Sequence, residues 1–120
     1  MVAAPPPSPP AIVREWSTDL NANRNAAAAR LFASGARVVQ GTVDVRLTPA
    51  LAFAFNASLP CAGTIVRLKV TGNRVVATFV LGHRPGHRCD GPGQKAAALF
   101  VVRDGKIVLW QQVPVPGIPA

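Results

Sequence analysis

The stretch "LTPALAFAFNASLPCAGTIV", residues 47–66, carries no charged side chain, although it lies between Arg46 and Arg67 of a basic chain. Its length would allow it to cross a lipid bilayer. Pro49 and Pro60 interrupt it, however, and several polar side chains dilute it, so we expect no stable membrane insertion. We therefore expect this segment to be a buried core element that forms one wall of an apolar cavity.

The first half of this segment is predicted to be a helix. Thr48 followed by Pro49 is a typical helix start, with a capping side chain and a proline in the first turn. Because apolar side chains would cover most sides of this helix, burial is expected, with Phe53 and Phe55 as its largest residues. The A-F-A-F alternation also fits a strand, and periodicity alone does not exclude one.

Two further helices and one strand are predicted upstream. Ser8 can cap a helix whose apolar face includes Trp16, and residues 21–25 are rich in asparagine and suit a break. The alanine-rich "NAAAARLFASG" favours a second helix that ends at Gly35. The alternating "ARVVQGTVDVRL" then predicts one half-buried strand, with Gly41 as a bulge or bend.

The second half of the chain has the pattern of two β-hairpins. "TIVRLKV" and "RVVATFVLG" flank "TGN", and "QKAAALFVVR" and "KIVLWQQVPV" flank "DG". The predicted order is α-α-β-α-β-β-β-β, an α+β fold with helices on one face of a curved antiparallel sheet. We expect a flexible proline-rich lead over residues 1–10, one domain over residues 11–113, and a proline-rich tail over residues 114–120.

The charge of the chain is strongly basic but dispersed. The 120 residues carry a net charge of +8, from 13 lysines and arginines against five acids. The basic residues form no run, aromatic residues are few, and the two kinds are not interleaved as they are in single-strand binders. We therefore expect no nucleic-acid partner.

The two cysteines have two possible states. If the first predicted hairpin forms, Cys61 lies close to the loop that contains Cys89, and a disulfide between them is expected. It would close a loop of about 29 residues, worth roughly 3–4 kcal/mol in the chain-entropy model. Such a bridge implies an oxidising compartment, so an extracytoplasmic or secreted location is expected. Two reduced thiols would instead be compatible with the cytoplasm.

The loop "GHRPGHRC" contains His83, His87 and Cys89, which are residue types that bind zinc. A structural zinc site uses four ligands with pairwise spacing, and this loop does not supply them, so no metal is expected. The sequence Asn56-Ala57-Ser58 matches an N-glycosylation pattern. Because the predicted helix is buried, we treat this match as chance.

Two segments resemble the SnoaL-like, or nuclear-transport-factor-2-like (NTF2-like), superfamily. The opening "VREWSTDLNANRNAAAARLFASGARVV" is similar to that superfamily's helix–corner–helix–strand entry, and the closing "AALFVVRDGKIVLWQQ" is similar to its final hairpin. The resemblance covers about residues 11–113 as a pattern. It implies a cone-shaped sheet wrapped around the N-terminal helices, with an apolar pocket inside.

The resemblance also bears on catalysis. Relatives of the ketosteroid-isomerase and cyclase type place an acid on the early strand, where Gln40 stands here. Their second acid has no counterpart in "AAALFVV", and the chain has no tyrosine to serve as an oxyanion donor. The Asp–Arg–Asp relay of limonene-epoxide hydrolases has no matching motif, and Asp44, Arg46 and Arg67 are the nearest residues. Asp44 is the one candidate catalytic residue, and no cofactor is expected.

The function that these patterns favour is binding of a small apolar molecule inside the cone. An isomerase-, cyclase- or epoxide-hydrolase-like enzyme with non-standard residues is the alternative, and a structural module that forms a homodimer through its sheet face is a second one. A further alternative is a cone whose interior is filled by the protein's own side chains. The candidate ligand-binding residues are Trp16, Gln40, Phe53, Phe55, Phe79, Trp110 and Gln112, with Thr78 as a further polar anchor.

Overall fold

The computed structural model describes residues 5–117, which form three helices and one six-stranded sheet. The predicted α+β class with a curved sheet and N-terminal helices is confirmed. In chain order the elements are α1 (Pro9–Asn21), α2 (Asn25–Arg30), β1 (Phe32–Gln40), β2 (Val43–Arg46), α3 (Pro49–Ser58), β3 (Cys61–Thr71), β4 (Arg74–His83), β5 (Lys95–Arg103) and β6 (Lys106–Val113).

Two of the helices begin at the predicted caps. The Ser8 hydroxyl accepts a hydrogen bond from the Ala11 amide at 3.4 Å, and the Thr48 hydroxyl accepts one from the Leu51 amide at 3.2 Å. In both cases a proline occupies the first turn. The backbone N–H groups of a first turn have no partner within the helix, so the missing N–H of proline costs nothing there. Because α1 already starts at Pro9, the folded part begins before residue 11.

The last prolines of the proline-rich lead, Pro6 and Pro7, lie beside the β5–β6 turn. A Cβ built on Gly105, in the β5–β6 turn, would lie 3.3 Å from Pro6 Cβ and 3.4 Å from Pro7 Cδ. Residues 1–4 of the lead and residues 118–120 of the tail lie outside the described residues.

The second helix is shorter than predicted. It ends at Arg30 rather than at Gly35, and β1 begins at Phe32. Here the sheet outcompetes helix propensity, because the Leu31 carbonyl accepts a hydrogen bond from the Ile107 amide at 2.8 Å. Gly35 instead has a positive φ of 79° in an irregular part of β1, where the register against β6 shifts.

The strand predicted over "ARVVQGTVDVRL" is in fact two strands. Gly41 has a φ of 59° and turns the chain, so that β1 and β2 pair as an antiparallel hairpin. The alternation of side chains continues on both sides of the turn, which is why the sequence pattern looked like one strand with a bend.

The sheet order is β2-β1-β6-β5-β4-β3, and one pairing differs from the prediction. Four neighbouring pairs are antiparallel, but β1 and β6 run parallel. Local patterns showed the hairpins, whereas a pairing between distant strands leaves no local signal.

The two faces of the sheet differ sharply in composition. On the inner face, which the helices cover, Val38, Trp110, Phe100 and Val75 form one row across four strands. Trp16 of α1 packs on this row, with its ring centroid 5.3 Å from that of Phe100 in an edge-to-face arrangement. The opposite face carries the arginines Arg37, Arg46 and Arg74.

The expectation that α3 is buried on most sides is wrong. Only Ala52 and Asn56 of this helix are buried, whereas Leu51 is 49% exposed and Phe53 is 47% exposed. The helix packs along one side against α2 and turns the other side outward. Within the described part of the chain, no helix combines the length and apolar character needed to cross a membrane.

Candidate functional site

A cavity of about 190 Å³ lies between α1 and the inner face of the sheet, at the end where β6 finishes and β5 begins. Helix α1 and strands β4, β5 and β6 form most of its walls, and the segment that enters β3 closes one side. Its lining residues are Trp16, Ser17, Leu20, Gln40, Leu59, Pro60, Cys61, Gly63, Phe79, Leu81, Ala96, Ala97, Ala98, Trp110 and Gln112.

Five of the seven predicted ligand-binding residues line this cavity. Trp16, Phe79 and Trp110 are buried, while Gln40 and Gln112 are exposed and stand at its mouth. The alanines of β5 leave the space open, because a larger side chain at Ala96 or Ala98 would project into it.

The other predicted residues lie elsewhere. Phe55 does not line the cavity but supports it, since its ring packs edge-to-face on Trp110 with centroids 5.1 Å apart. Phe53 is largely exposed and lies on the side of α3 that faces away from the core. Thr78 is opposite Arg67 in the β3–β4 register and therefore points to the other face of the sheet. The cavity wall from the uncharged segment is thus residues 59–63, not Phe53.

Asn56 fixes the position of the Trp16 ring that lines the cavity, a role that was not predicted from the sequence. Its side-chain oxygen accepts a hydrogen bond from Trp16 Nε1 at 2.8 Å, and its amide nitrogen donates to the Ala52 carbonyl at 2.8 Å. Asn56 is fully buried, so it is not accessible for glycosylation in the folded chain. One polar residue on an otherwise apolar helix was the signal that could have indicated it.

The Asn21 side chain, at the end of α1, pairs with the backbone of Gly63 in β3 through two hydrogen bonds, as a neighbouring strand would. Asn21 donates to the Gly63 carbonyl at 2.8 Å and accepts from the Gly63 amide at 3.0 Å. Ser17 also donates to that carbonyl at 3.2 Å. Gly63 is required here, because a Cβ would come within 2.9 Å of the Phe79 ring. These contacts fix the width of the cavity.

Arg84 joins three parts of the chain near the cavity, although it is 1% exposed. Its guanidinium donates to the backbone carbonyls of Asn56 and Leu59 at 2.7 and 2.6 Å, at the end of α3. It also donates to the side-chain oxygens of Asn23 (2.9 Å) and Asn25 in the α1–α2 corner. Burial lowers the pKa of Arg84, since it disfavours the charged form.

The predicted disulfide is present between Cys61 and Cys89, whose Cα atoms are 4.7 Å apart. Cys61 lines the cavity, so the bridge ties the loop after β4 to the cavity wall. His83 accepts a hydrogen bond from the Cys89 amide at 3.2 Å. Within residues 5–117, no three side chains of the metal-binding types come together.

Asp44 does not line the cavity and lies on the outer face of the sheet. It forms a bidentate pair with Arg37, with N–O distances of 2.8 and 2.6 Å, and about half of its side chain is exposed. The hydrogen bonds from Arg37 lower the pKa of Asp44, because they favour the charged carboxylate. The structure therefore places the one candidate catalytic acid outside the cavity.

The cavity lining has a simple chemical character. Among the described residues of the lining, no side chain can ionise: Cys61 is in the disulfide, and the polar groups are two amides, one hydroxyl and two indoles. The Ser17 hydroxyl and the Trp16 N–H already donate within the protein. Such a site can surround an apolar molecule and orient it, but it has no general acid or base to offer.

The comparisons with known proteins agree on the fold. No family model matches the sequence, and no curated protein matches it. Among solved structures, an NTF2-like protein of unknown function from Cytophaga hutchinsonii aligns with a TM-score of 0.75 at 14% identity, covering 97% of this chain and 96% of that one.

Two further solved structures are similar over most of their length. A protein from Sinorhizobium meliloti that is proposed to be a polyketide cyclase has a TM-score of 0.71 and 17% identity, with 87% of this chain and 94% of that chain covered. A protein with a ketosteroid-isomerase-like fold from Catenulispora acidiphila, in complex with trimethylamine, has a TM-score of 0.69 and 20% identity, with 89% and 87% covered. The chain therefore has the NTF2-like fold, as the resemblance implied.

Proposed function

We propose that this protein binds a small, neutral, largely apolar molecule in the cavity between α1 and the sheet. The observation that carries this proposal is that the cavity lining formed by residues 5–117 contains no ionisable side chain. A charged ligand would lose its hydration there without gaining an opposite charge, which is strongly unfavourable. A neutral ligand would gain the burial of its apolar surface against Trp16, Phe79 and Leu81.

The dimensions of the cavity limit the ligand further. Pockets for drug-sized ligands measure roughly 300–1,000 Å³, and an apolar cavity of about 150 Å³ is known to hold benzene. With about 190 Å³, this cavity suits a molecule of one ring with a short substituent. The amides of Gln40 and Gln112 at the mouth would meet the more polar end of such a molecule.

Binding accounts for the site better than the enzymatic alternative does. Acid–base catalysis needs a titratable group within hydrogen-bond reach of the reacting atoms. Asp44 is on the other face of the sheet and paired with Arg37, and Asp19 is paired with Arg24 at 3.2 Å. Neither carboxylate lines the cavity.

The disulfide supports a location outside the cytoplasm. Disulfides persist in oxidising compartments and are rare where glutathione and thioredoxin keep thiols reduced. We infer that the chain works in an extracytoplasmic or secreted setting, where its ligand would be met outside the reducing interior of the cell.

Filling the cavity tests the proposal. We expect cumene to bind saturably to the wild-type protein, detected by chemical-shift changes in two-dimensional NMR spectra. Ala98→Leu places a larger side chain in the cavity and should weaken binding at least about 10-fold, since overlap with the ligand replaces contact. Ala54→Leu makes the same change on the exposed side of α3 and should leave binding unaltered.

Two results would refute cavity binding. One is a wild-type protein that shows no saturable change with cumene, and the other is an Ala98→Leu protein that binds as tightly as the wild type. If Ala98→Leu does not fold, Ala96→Leu makes a similar change at a half-buried position of the same strand.

A further inference from the structure

A groove of about 550 Å³ lies on the outer face of the sheet, at the end where β4 begins and β5 finishes. It is therefore on the opposite face and at the opposite end of the sheet from the cavity. The β1–β2 hairpin contributes Arg37 and Arg46 to its walls, and β4 and β5 contribute Arg74 and Arg103. All four side chains are exposed, so four arginines line one concave part of the surface.

The strand register explains why these arginines surround the groove. Arg37, Leu109, Val101 and Arg74 form one row across the neighbouring strands β1, β6, β5 and β4. Neighbouring strands are about 4.8 Å apart, so about 14 Å separates the backbones at the two ends of this row. Val101 is buried and Leu109 is half-buried, and together they form an apolar floor. A ligand on this floor would have arginines on both sides.

The positive charge of the groove is mostly uncompensated. Asp44 pairs with Arg37 at 2.6 Å, but within residues 5–117 no carboxylate pairs with the other three arginines. Arg46 donates to the Gly35 carbonyl at 3.2 Å, and this neutral partner leaves its charge in place. The four arginines and one paired aspartate therefore leave an excess of three positive charges around the groove.

We propose that this groove binds a compact, soluble anion that carries two or more phosphate- or sulfate-type groups. Guanidinium groups match the oxygens of such groups in shape and bind them through paired hydrogen bonds. Because arginines lie on both sides of the floor, linked anionic groups can contact more of them than a single group can. The apolar floor keeps water from one side of the ligand, which strengthens each electrostatic contact. The site is independent of what the cavity binds.

A single-stranded nucleic acid suits the groove less well than a compact anion does. Proteins hold such strands by stacking the bases on aromatic side chains as well as by contacting the backbone. Among the described residues, no aromatic side chain lines the groove. The lining offers charge and aliphatic surface, which favours a ligand recognised by its anionic groups alone.

The competing explanation is that the whole basic face attracts anions without a defined site. Arg67 and Lys95 point to the same face and are exposed, but neither lines the groove. They contribute to the general field and not to the proposed site. Removal of two charges from the groove, or of these two, changes the net charge equally, so the two explanations predict different results.

Isothermal titration calorimetry with sodium tripolyphosphate at low ionic strength tests the site. We expect saturable binding of one ion per wild-type chain. Arg74→Gln combined with Arg103→Gln should weaken binding at least about 10-fold, because charge-assisted hydrogen bonds are lost. Arg67→Gln combined with Lys95→Gln is the matched control and should weaken it less than about 3-fold, because only screened attraction is lost.

Two further probes define the ligand. Orthophosphate should bind at least about 10-fold more weakly than tripolyphosphate, because it contacts fewer guanidinium groups. Equal affinities would overturn the requirement for linked anionic groups. Vesicles of equal parts phosphatidylcholine and phosphatidylglycerol offer the same phosphate chemistry on a lipid surface. Sedimentation of the protein with these vesicles, without saturable binding of tripolyphosphate, would overturn the proposal in favour of a membrane surface.

The remaining outcomes are equally distinct. Equal losses in the two double variants would show a general field and overturn the proposal, as would a wild-type protein that does not bind tripolyphosphate. If the groove variant does not fold, Arg46→Gln takes its place, with an expected loss of at least about 3-fold against Arg67→Gln as control. Ala98→Leu in the cavity should leave tripolyphosphate affinity unchanged, so failure of cavity binding and failure of this inference are distinguishable.

Discussion

At the scale of single residues, a small set of buried polar side chains holds the cavity in place. Arg84 is the largest of them, and it bonds to the end of α3 and to the corner between α1 and α2. A cation suits the end of a helix, where carbonyl oxygens are unpaired. The sequence pattern could not show this, because "GHRPGHRC" places two arginines in one loop without indicating which is buried.

Substitution of Arg84 tests its role. Arg84→Met keeps most of the aliphatic volume but leaves several buried oxygens without a donor, so we expect a loss of about 3 kcal/mol in the free energy of unfolding. Arg88→Met, in the same loop but exposed, should change it by less than about 0.5 kcal/mol. Urea denaturation measures both, and equal effects of the two substitutions would contradict the argument.

At the scale of elements, local patterns predicted the α3 cap and the two later hairpins, but not the ends of α2 and β1 or which residues of the uncharged segment form the cavity wall. The helix predicted through Gly35 gave way to a strand because Leu31 and Phe32 gain more by joining the sheet than by extending an alanine-rich turn. Propensity is a weak prior that tertiary contacts override. For the same reason Phe53 was predicted inside and lies outside, since its orientation depends on what α3 packs against.

The disulfide between Cys61 and Cys89 joins β3 to the loop after β4, and its contribution to stability can be measured by removing it. We expect the double substitution Cys61→Ser and Cys89→Ser to lower the free energy of unfolding by about 3–4 kcal/mol, since the unfolded chain regains its loop entropy. The wild-type protein in excess reductant should match the double variant and serves as its control. Two alkylatable thiols in the native, unreduced protein would show that the bridge does not form.

At the scale of the whole molecule, the charge is concentrated on the outer face of the sheet. The strand registers place eight exposed basic side chains there, and Asp44 is the one acid on the same face of the described strands. In the sequence these residues looked dispersed, because they come from six strands. The eight are Arg37, Arg46, Arg67, Lys69, Arg74, Lys95, Arg103 and Lys106.

This face sets the salt dependence of self-association. In a two-fold dimer each copy presents the same surface, so pairing through this face would bring like charges together. We expect the protein to be monomeric at low ionic strength, with any self-association through the sheet increasing as salt screens the repulsion. Sedimentation velocity at several salt concentrations measures this, and a dimer that dissociates as salt is added would contradict it.

The parallel pairing of β1 with β6 has a consequence for biosynthesis. Positions 37 and 109 are partners, so the middle of the sheet cannot close until β6 has left the ribosome. Until then the N-terminal hairpin has a bare edge, and the nascent polypeptide stays open. The sheet is therefore completed only after β6 has been synthesised, rather than strand by strand as the polypeptide emerges.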